Sequence, residues 1–274
     1  MRHIIATWIV IGACRLMAQS APMETPITLG SRLEFPSTLL HEQRVLNVVL
    51  PDGYDTSKVS YPVIVLLDGS ANEDLVHVAG IIQFHNMMGF MGPCILVGVG
   101  NVDRRRDFTF PTNIKEDLQA YPTTGHSAAF IDFLEKEALP LVHSLYRTNG
   151  QRLLIGQSLG GLLATEILFT RPQLFNQYMI VSPSLWWDKE SLLRRPTDAM
   201  KAADLQPTTV RVVVGKEGKV MENDAAALAS LLKKLGQPKI EVSLHKLPKE
   251  NHATILHPAV YEALPVLLPP PQGQ

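Results

Sequence analysis

Two cysteines, Cys14 and Cys94, are all this chain holds among 274 residues. That leaves no disulfide framework and no cysteine-rich zinc site. Excess charge of one sign is also missing, with 25 Lys and Arg against 26 Asp and Glu. Without surplus cations to displace phosphate counterions, a nucleic-acid binder working by backbone neutralisation is excluded, as are an acidic tail and a disordered chain. No stretch reaches the roughly 20 apolar residues of a membrane span. Internal repeats, low-complexity tracts and linkers are absent too. What remains, at 46% hydrophobic and 19% charged, is the composition of a globular protein long enough for one large domain.

The first twenty residues stand apart. Arg2 and His3 precede an apolar run over 4–13, and small residues follow in Met17-Ala18-Gln19-Ser20-Ala21. This is the order of a secretory signal peptide, with cleavage expected after Ala18 or Ser20 and a single domain over 21–274. An alternative is that Ile11-Gly12-Ala13-Cys14 is a bacterial lipobox, which would make Cys14 a lipid anchor. Both readings place the chain outside the cytoplasm, secreted or periplasmic. Cys94 then reads as a packed core thiol.

Segments 44–50, 61–67, 94–99, 152–155, 177–181, 210–214 and 240–244 read as strands. Several are continuous aliphatic runs, as expected where both faces of a strand are covered. Helical spacing appears between them, in Phe130, Phe133, Leu134 and Leu141, in Leu162, Leu163, Ile167 and Leu168, and in Ala226, Leu228, Leu231 and Leu232. Strand and helix alternate from Tyr61 onward, which predicts a single three-layer α/β domain with a mostly parallel sheet. The strand at 44–50 precedes this alternation and is expected to pair antiparallel at the N-terminal edge. Ligands of such a sheet sit beyond the carboxyl ends of its strands.

One such end carries Gly156-Gln157-Ser158-Leu159-Gly160-Gly161. A Gly-x-Ser-x-Gly pattern arises by chance in this composition with probability of about 0.06, so its context matters. The apolar Leu153-Leu154-Ile155 leads in and a helical run leads out, the setting of a strand-turn-helix elbow that lifts a serine hydroxyl above the sheet. Glycine is expected on both sides of Ser158 because side chains there would collide in so tight a turn. The plainer alternative is a glycine-rich turn with a helix-capping serine.

A serine hydroxyl needs a base, and the base needs an orienting group. His252 lies in the polar loop Lys249-Glu250-Asn251-His252-Ala253-Thr254, after the last strand pattern, where the base of this arrangement belongs. The acid should follow strand 210–214, and Glu217 is best placed. Glu222 and Asp224 are alternatives whose simpler role is at a helix start. Backbone donors for an oxyanion are expected from Leu159, directly after the nucleophile, and from Gly69 in the loop Asp68-Gly69-Ser70-Ala71.

The run Tyr61-Pro62-Val63-Ile64-Val65-Leu66-Leu67-Asp68-Gly69, preceded by Val49-Leu50-Pro51-Asp52-Gly53-Tyr54, resembles the opening of the putative-esterase family of α/β-hydrolases. That family includes esterase D, feruloyl esterases, mycolyltransferases and siderophore esterases. The stretches 97–109 and Ser182-Pro183-Ser184-Leu185-Trp186-Trp187-Asp188 are most similar to the siderophore-esterase-like branch. The resemblance covers roughly 40–265 and implies nucleophile Ser158, base His252 and oxyanion donors Gly69 and Leu159. Two departures stand out. Asp107-Phe108-Thr109-Phe110-Pro111 has one residue more than the family stretch, which would alter the pocket wall. The acid also varies in this branch, some members working with Ser and His alone.

The expected chemistry is hydrolysis of a small-molecule ester through an acyl-enzyme, with no metal or organic cofactor and no nucleic-acid partner. Siderophore trilactones and feruloyl or carbohydrate esters are the expected substrates. Arg104 and Arg106, with Arg105 between them, would contact an anionic substrate or else form a solvated basic loop. Trp186 and Trp187 would stack on an aromatic acyl group or else pack against helices. An acyltransferase using the same site and a non-catalytic ligand-binding protein on this scaffold are the alternatives.

Overall fold

The computed structural model describes residues 23–195, 205–235 and 239–271. The leader expected over 1–20 and the lipobox at Cys14 lie outside the described residues.

Among the described residues the strands are β1 (Ser31–Ser37), β2 (Glu42–Val49), β3 (Tyr61–Leu66), β4 (Ile95–Val99), β5 (Thr148–Gln157), β6 (Gln177–Val181), β7 (Thr208–Gly215) and β8 (Ile240–Leu247). They form one sheet in the order β1-β2-β4-β3-β5-β6-β7-β8. β2 runs antiparallel to β1 and to β4, and from β4 to β8 every pairing is parallel. The single three-layer α/β domain with an antiparallel N-terminal edge is thus the observed fold. The outermost strand is β1, however, and β2 lies inside it. Leu33 and Phe35 alternate with exposed polar residues in β1, and Pro36 has no amide to give a ladder, which confines such a sequence to an edge.

The two faces of the central strands feed two separate cores. Val63, Val65, Leu154, Tyr178, Ile180, Val210, Val212 and Val214 point to one side. That layer contains α4 (Ser127–Phe133), α5 (Leu139–Leu145), α6 (Leu159–Thr170) and α7 (Lys219–Leu235). Ile64, Leu66, Leu153, Ile155, Met179, Val181 and Val213 point to the other, against α1 (Leu75–Met87) and α8 (Leu256–Leu267). Alternate residues of one strand serve opposite layers, so the pattern reads as a continuous apolar run. Cys94 is a packed thiol of the second layer, 1% exposed, and burial pushes its pKa up to about 12.

The helical pattern read through Phe130 to Leu141 is two helices joined by a π turn over Leu134–Ala138. Pro140 opens the second, and the wider turn accommodates a residue that cannot donate to the preceding turn. Two shorter helices, α2 (Arg104–Phe108) and α3 (Lys115–Ala120), follow β4 and precede α4 in the chain. α6 is buried from Leu159 to Phe169, which holds the turn before it rigidly against the sheet.

Candidate active site

Ser158 stands where β5 becomes α6, at φ 60° and ψ −119°, a conformation a residue with a side chain adopts only when its surroundings impose it. Its amide donates to the Val181 carbonyl at 3.0 Å, and its carbonyl accepts from Leu162 and Ser184, each at 3.0 Å. Gly156 is required here: a Cβ would lie 2.4 Å from the Gly160 carbonyl oxygen. Gly160 is not required in the same way, since its Cβ would meet nothing nearer than 3.5 Å. The tight glycine on that side is Gly161, whose Cβ would lie 2.9 Å from Pro183 Cα.

Beyond the carboxyl ends of β5 to β8 lies an open cleft of about 700 Å³ that holds Ser158, Ser184, Trp186, Glu217 and His252 together, with Tyr121, Lys216 and Met221 also on its wall. His252 Nδ1 sits 2.5 Å from Glu217 Oε2. Glu217 is the better shielded partner, its side chain 2% exposed against 47% for His252. Its Oε1 accepts the Ser182 hydroxyl at 2.5 Å and the Gly215 amide at 2.9 Å. Burial acts to raise the Glu217 pKa, but the hydrogen bonds from His252, Ser182 and Gly215 outweigh it and hold the carboxyl below its ordinary value. A buried carboxylate gripping the imidazole on Nδ1 leaves Nε2 free as a proton acceptor.

Ser158 Oγ lies 3.2 Å from Ser184 Oγ, and among the described residues no hydrogen bond joins it to His252. The Ser158 hydroxyl therefore rests on Ser184, with the imidazole in the same cleft.

Glu222 and Asp224 take no part in this contact. Glu222 Oε1 accepts the amides of Glu217 and Gly218, at 3.2 and 3.1 Å, as an acidic cap on the start of α7. Asp224 is buried with one oxygen unpartnered, and burial together with nearby Glu190 raises its pKa to about 6.

Leu159 is the first residue of α6, so its amide is among those with no acceptor inside the helix, next to the Ser158 hydroxyl. Gly69 differs from expectation. Its amide donates to the Val99 carbonyl at 2.9 Å, and its own carbonyl accepts from Asn47 at 2.8 Å. A Cβ on Gly69 would lie 2.3 Å from Gly98 Cα. Glycine is needed there for close packing on β4, and the donor assigned to an oxyanion is already used.

The arginines are paired internally. Arg104 bonds Asp68 at 2.6 and 2.8 Å and reaches the Gln157 carbonyl at 3.3 Å, beneath the elbow. Arg106 binds Glu42 and Asp107, next to a fully buried Arg44 that bonds the same two carboxylates. Neither forms the cationic substrate wall. Arg105 lies outward, its guanidinium 4.8 Å from the Tyr121 ring centroid. The tryptophans divide: Trp186 lines the cleft, whereas Trp187 is fully buried and donates its indole N–H to the Phe110 carbonyl at 3.0 Å. Phe110 is the additional residue of the 107–111 stretch, and it feeds this core contact. Ser182, Ser184, Tyr121 and Gln157 complete the site without having been singled out in the sequence. The run Ser182-Pro183-Ser184 was legible only as a similarity.

The family model described as putative esterase matches residues 37–254. The ferri-bacillibactin esterase BesA of Bacillus subtilis is 29% identical over 77% of this chain and 80% of its own length. The siderophore triacetylfusarinine C esterase of Aspergillus fumigatus is 33% identical over 50% of this chain and 49% of that one. Among solved structures, an IroE-like serine hydrolase from Shewanella oneidensis superposes with a TM-score of 0.79 at 29% identity, covering 87% of this chain and 80% of the other. A sheet of this order, an elbow serine and a histidine–carboxylate pair in one cleft accord with these matches, and the chain belongs to the putative-esterase family of α/β-hydrolases, as a carboxylic ester hydrolase.

Proposed function

We propose that this enzyme hydrolyses siderophore esters through an acyl-enzyme on Ser158. The observation that carries the reading is the 2.5 Å contact between His252 Nδ1 and the buried Glu217 carboxylate, in the same cleft as a serine held at positive φ. His252 Nε2 takes the Ser158 proton as Oγ attacks the ester carbonyl. The Leu159 amide, at the positive end of α6, stabilises the tetrahedral oxyanion. The imidazolium then protonates the leaving alcohol, and the same imidazole activates water to release the acid. A half-exposed His252 in an open cleft gives water ready access to the acyl-enzyme, which favours hydrolysis over transfer to another alcohol.

The substrate class rests on BesA and the triacetylfusarinine C esterase, both named for siderophore esters. Trp186 and Tyr121, with ring centroids 6.3 Å apart on the cleft wall, are able to stack on an aromatic acyl group. We also propose export by the leader at 1–20, which the order of charged, apolar and small residues supports; intact mass of the mature chain distinguishes cleavage after Ala18 or Ser20 from lipidation of Cys14.

The test is turnover of a catecholate trilactone, a hydroxamate siderophore ester, a feruloyl sugar and a p-nitrophenyl ester series. Ser158→Ala and His252→Ala should each lower kcat by about 10³-fold or more and abolish fluorophosphonate labelling while leaving the thermal midpoint in place. Labelling that persists in Ser158→Ala overturns the mechanism. A feruloyl sugar turned over faster than both siderophores overturns the substrate class.

A further inference from the structure

We propose that Gln157 is a positioning residue for His252, its side-chain amide holding the base-bearing loop onto the nucleophile's own turn. The inference rests on the reading of His252 as the base.

Gln157 is the last residue of β5, directly before Ser158, and its Nε2 donates to the main-chain carbonyl of His252 at 2.5 Å. Its own main-chain carbonyl accepts from Arg104 at 3.3 Å, and Asp68 fixes that arginine in turn. One residue thus ties the loop after β8 to the elbow, while its backbone is braced toward the loop after β3.

The imidazole needs that second hold. Glu217 holds the side chain through one hydrogen bond at Nδ1 and leaves the main chain of His252 to be placed by its loop. Packing restrains the ring little, because the side chain is 47% exposed. The neighbouring loop bonds hold other residues: Lys216 N–H donates to the Glu250 carbonyl at 2.7 Å and Ala253 N–H to Asn251 Oδ1 at 2.9 Å. The Gln157 bond acts on His252 itself. Because its donor is one residue from Ser158, any shift of the elbow carries the base with it and the distance between them is preserved. Displacements of about 1 Å in reacting groups cost about 10²-fold in rate, so this restraint acts on turnover.

Gln157→Met keeps the side-chain length and removes the donor, and Gln157→Lys restores a donor on a flexible side chain one atom longer. With a p-nitrophenyl ester, Met should lower kcat by about 10- to 100-fold with KM within about twofold, and Lys should recover most of that loss. Both variants should keep the wild-type thermal midpoint. In a His252→Ala background, the Met substitution should add no further loss, because no base remains to be positioned. Wild-type kcat in the Met variant, equal losses in Met and Lys, or the same fold-loss in the His252→Ala background each overturn the proposal. If His252→Ala alone retains turnover, the base assignment itself falls, and the proposal with it.

Discussion

Substituting Glu217 by glutamine exchanges one oxygen for an NH₂ group in a site where every position is taken. Oε1 accepts the Gly215 amide at 2.9 Å and the Ser182 hydroxyl at 2.5 Å, while Oε2 faces His252 Nδ1 at 2.5 Å. The Gly215 N–H can only donate, so the glutamine carbonyl oxygen must take the Oε1 side, and its NH₂ must then face Nδ1. Nδ1 becomes an acceptor, and the imidazole proton moves to Nε2, the nitrogen that receives the Ser158 proton in the proposed mechanism. The substitution acts by imposing the wrong tautomer as well as by removing a charge. Comparable amide substitutions in catalytic triads cost about 10⁴ in kcat, or about 5 kcal/mol of transition-state stabilisation. A fall of roughly 10³- to 10⁴-fold is therefore expected at neutral pH. The assay is steady-state hydrolysis of a p-nitrophenyl ester, paired with proton NMR of the strongly hydrogen-bonded Nδ1–H, whose downfield signal should vanish in the variant. A variant that loses the signal yet keeps kcat within about tenfold of wild type refutes the tautomer reasoning.

The remaining expectations concern parts of the molecule that resemble one another in sequence and differ in place. Trp187→Ala should cost about 3–5 kcal/mol in urea unfolding, whereas Trp186→Ala should leave stability nearly unchanged and raise KM for aromatic esters. Asp107→Asn, which strips a carboxylate from buried Arg44 and from Arg106, should destabilise by about 3–5 kcal/mol without touching kcat of the folded fraction. Gly156→Ala forces a Cβ to within 2.4 Å of the Gly160 carbonyl oxygen, and should lower the thermal midpoint more than Gly160→Ala does. Stability should also change at two ends of the pH range. Glu42, Glu137 and Glu217 have lowered pKa values, because hydrogen bonds and ion pairs outweigh the opposing effect of burial. Their contribution is complete above the ordinary glutamate value of 4.5 and is lost as pH falls through the lowered folded values, so melting temperatures should drop there. Asp224 has the opposite sign, with a folded pKa raised to about 6. Its cost appears as pH rises from the ordinary value of 3.8 through 6, so Asp224→Asn should stabilise the protein at pH 8 by about 1–2 kcal/mol and have little effect near pH 3.

Much of the sheet was legible because its strands are buried on both faces and read as aliphatic runs. β1 was not, since an edge strand with polar alternation and Pro36 carries little of that signal. Ser158, Glu217 and His252 could be expected in one cleft because each follows a particular strand end, and strand ends are ordered along the chain. Gly69, Arg104, Arg106 and Trp187 were misjudged for a common reason: each was placed by its local motif and is claimed by a partner distant in sequence. Val99 takes the Gly69 amide, Asp68 takes Arg104, Glu42 takes Arg106 and the Phe110 carbonyl takes the Trp187 indole.

The amino-acid sequence alone therefore determined the sheet's parallel character, the elbow at Ser158 and the order of serine, acid and histidine, because hydrophobic periodicity and turn chemistry are local properties. Only the tertiary structure decided which of several similar side chains face the cleft and which are consumed inside the protein. Hydrogen bonds such as those of Glu217 with Ser182 and Gln157 with His252 span 35 and 95 residues, and a separation of that size leaves no periodic trace in the chain.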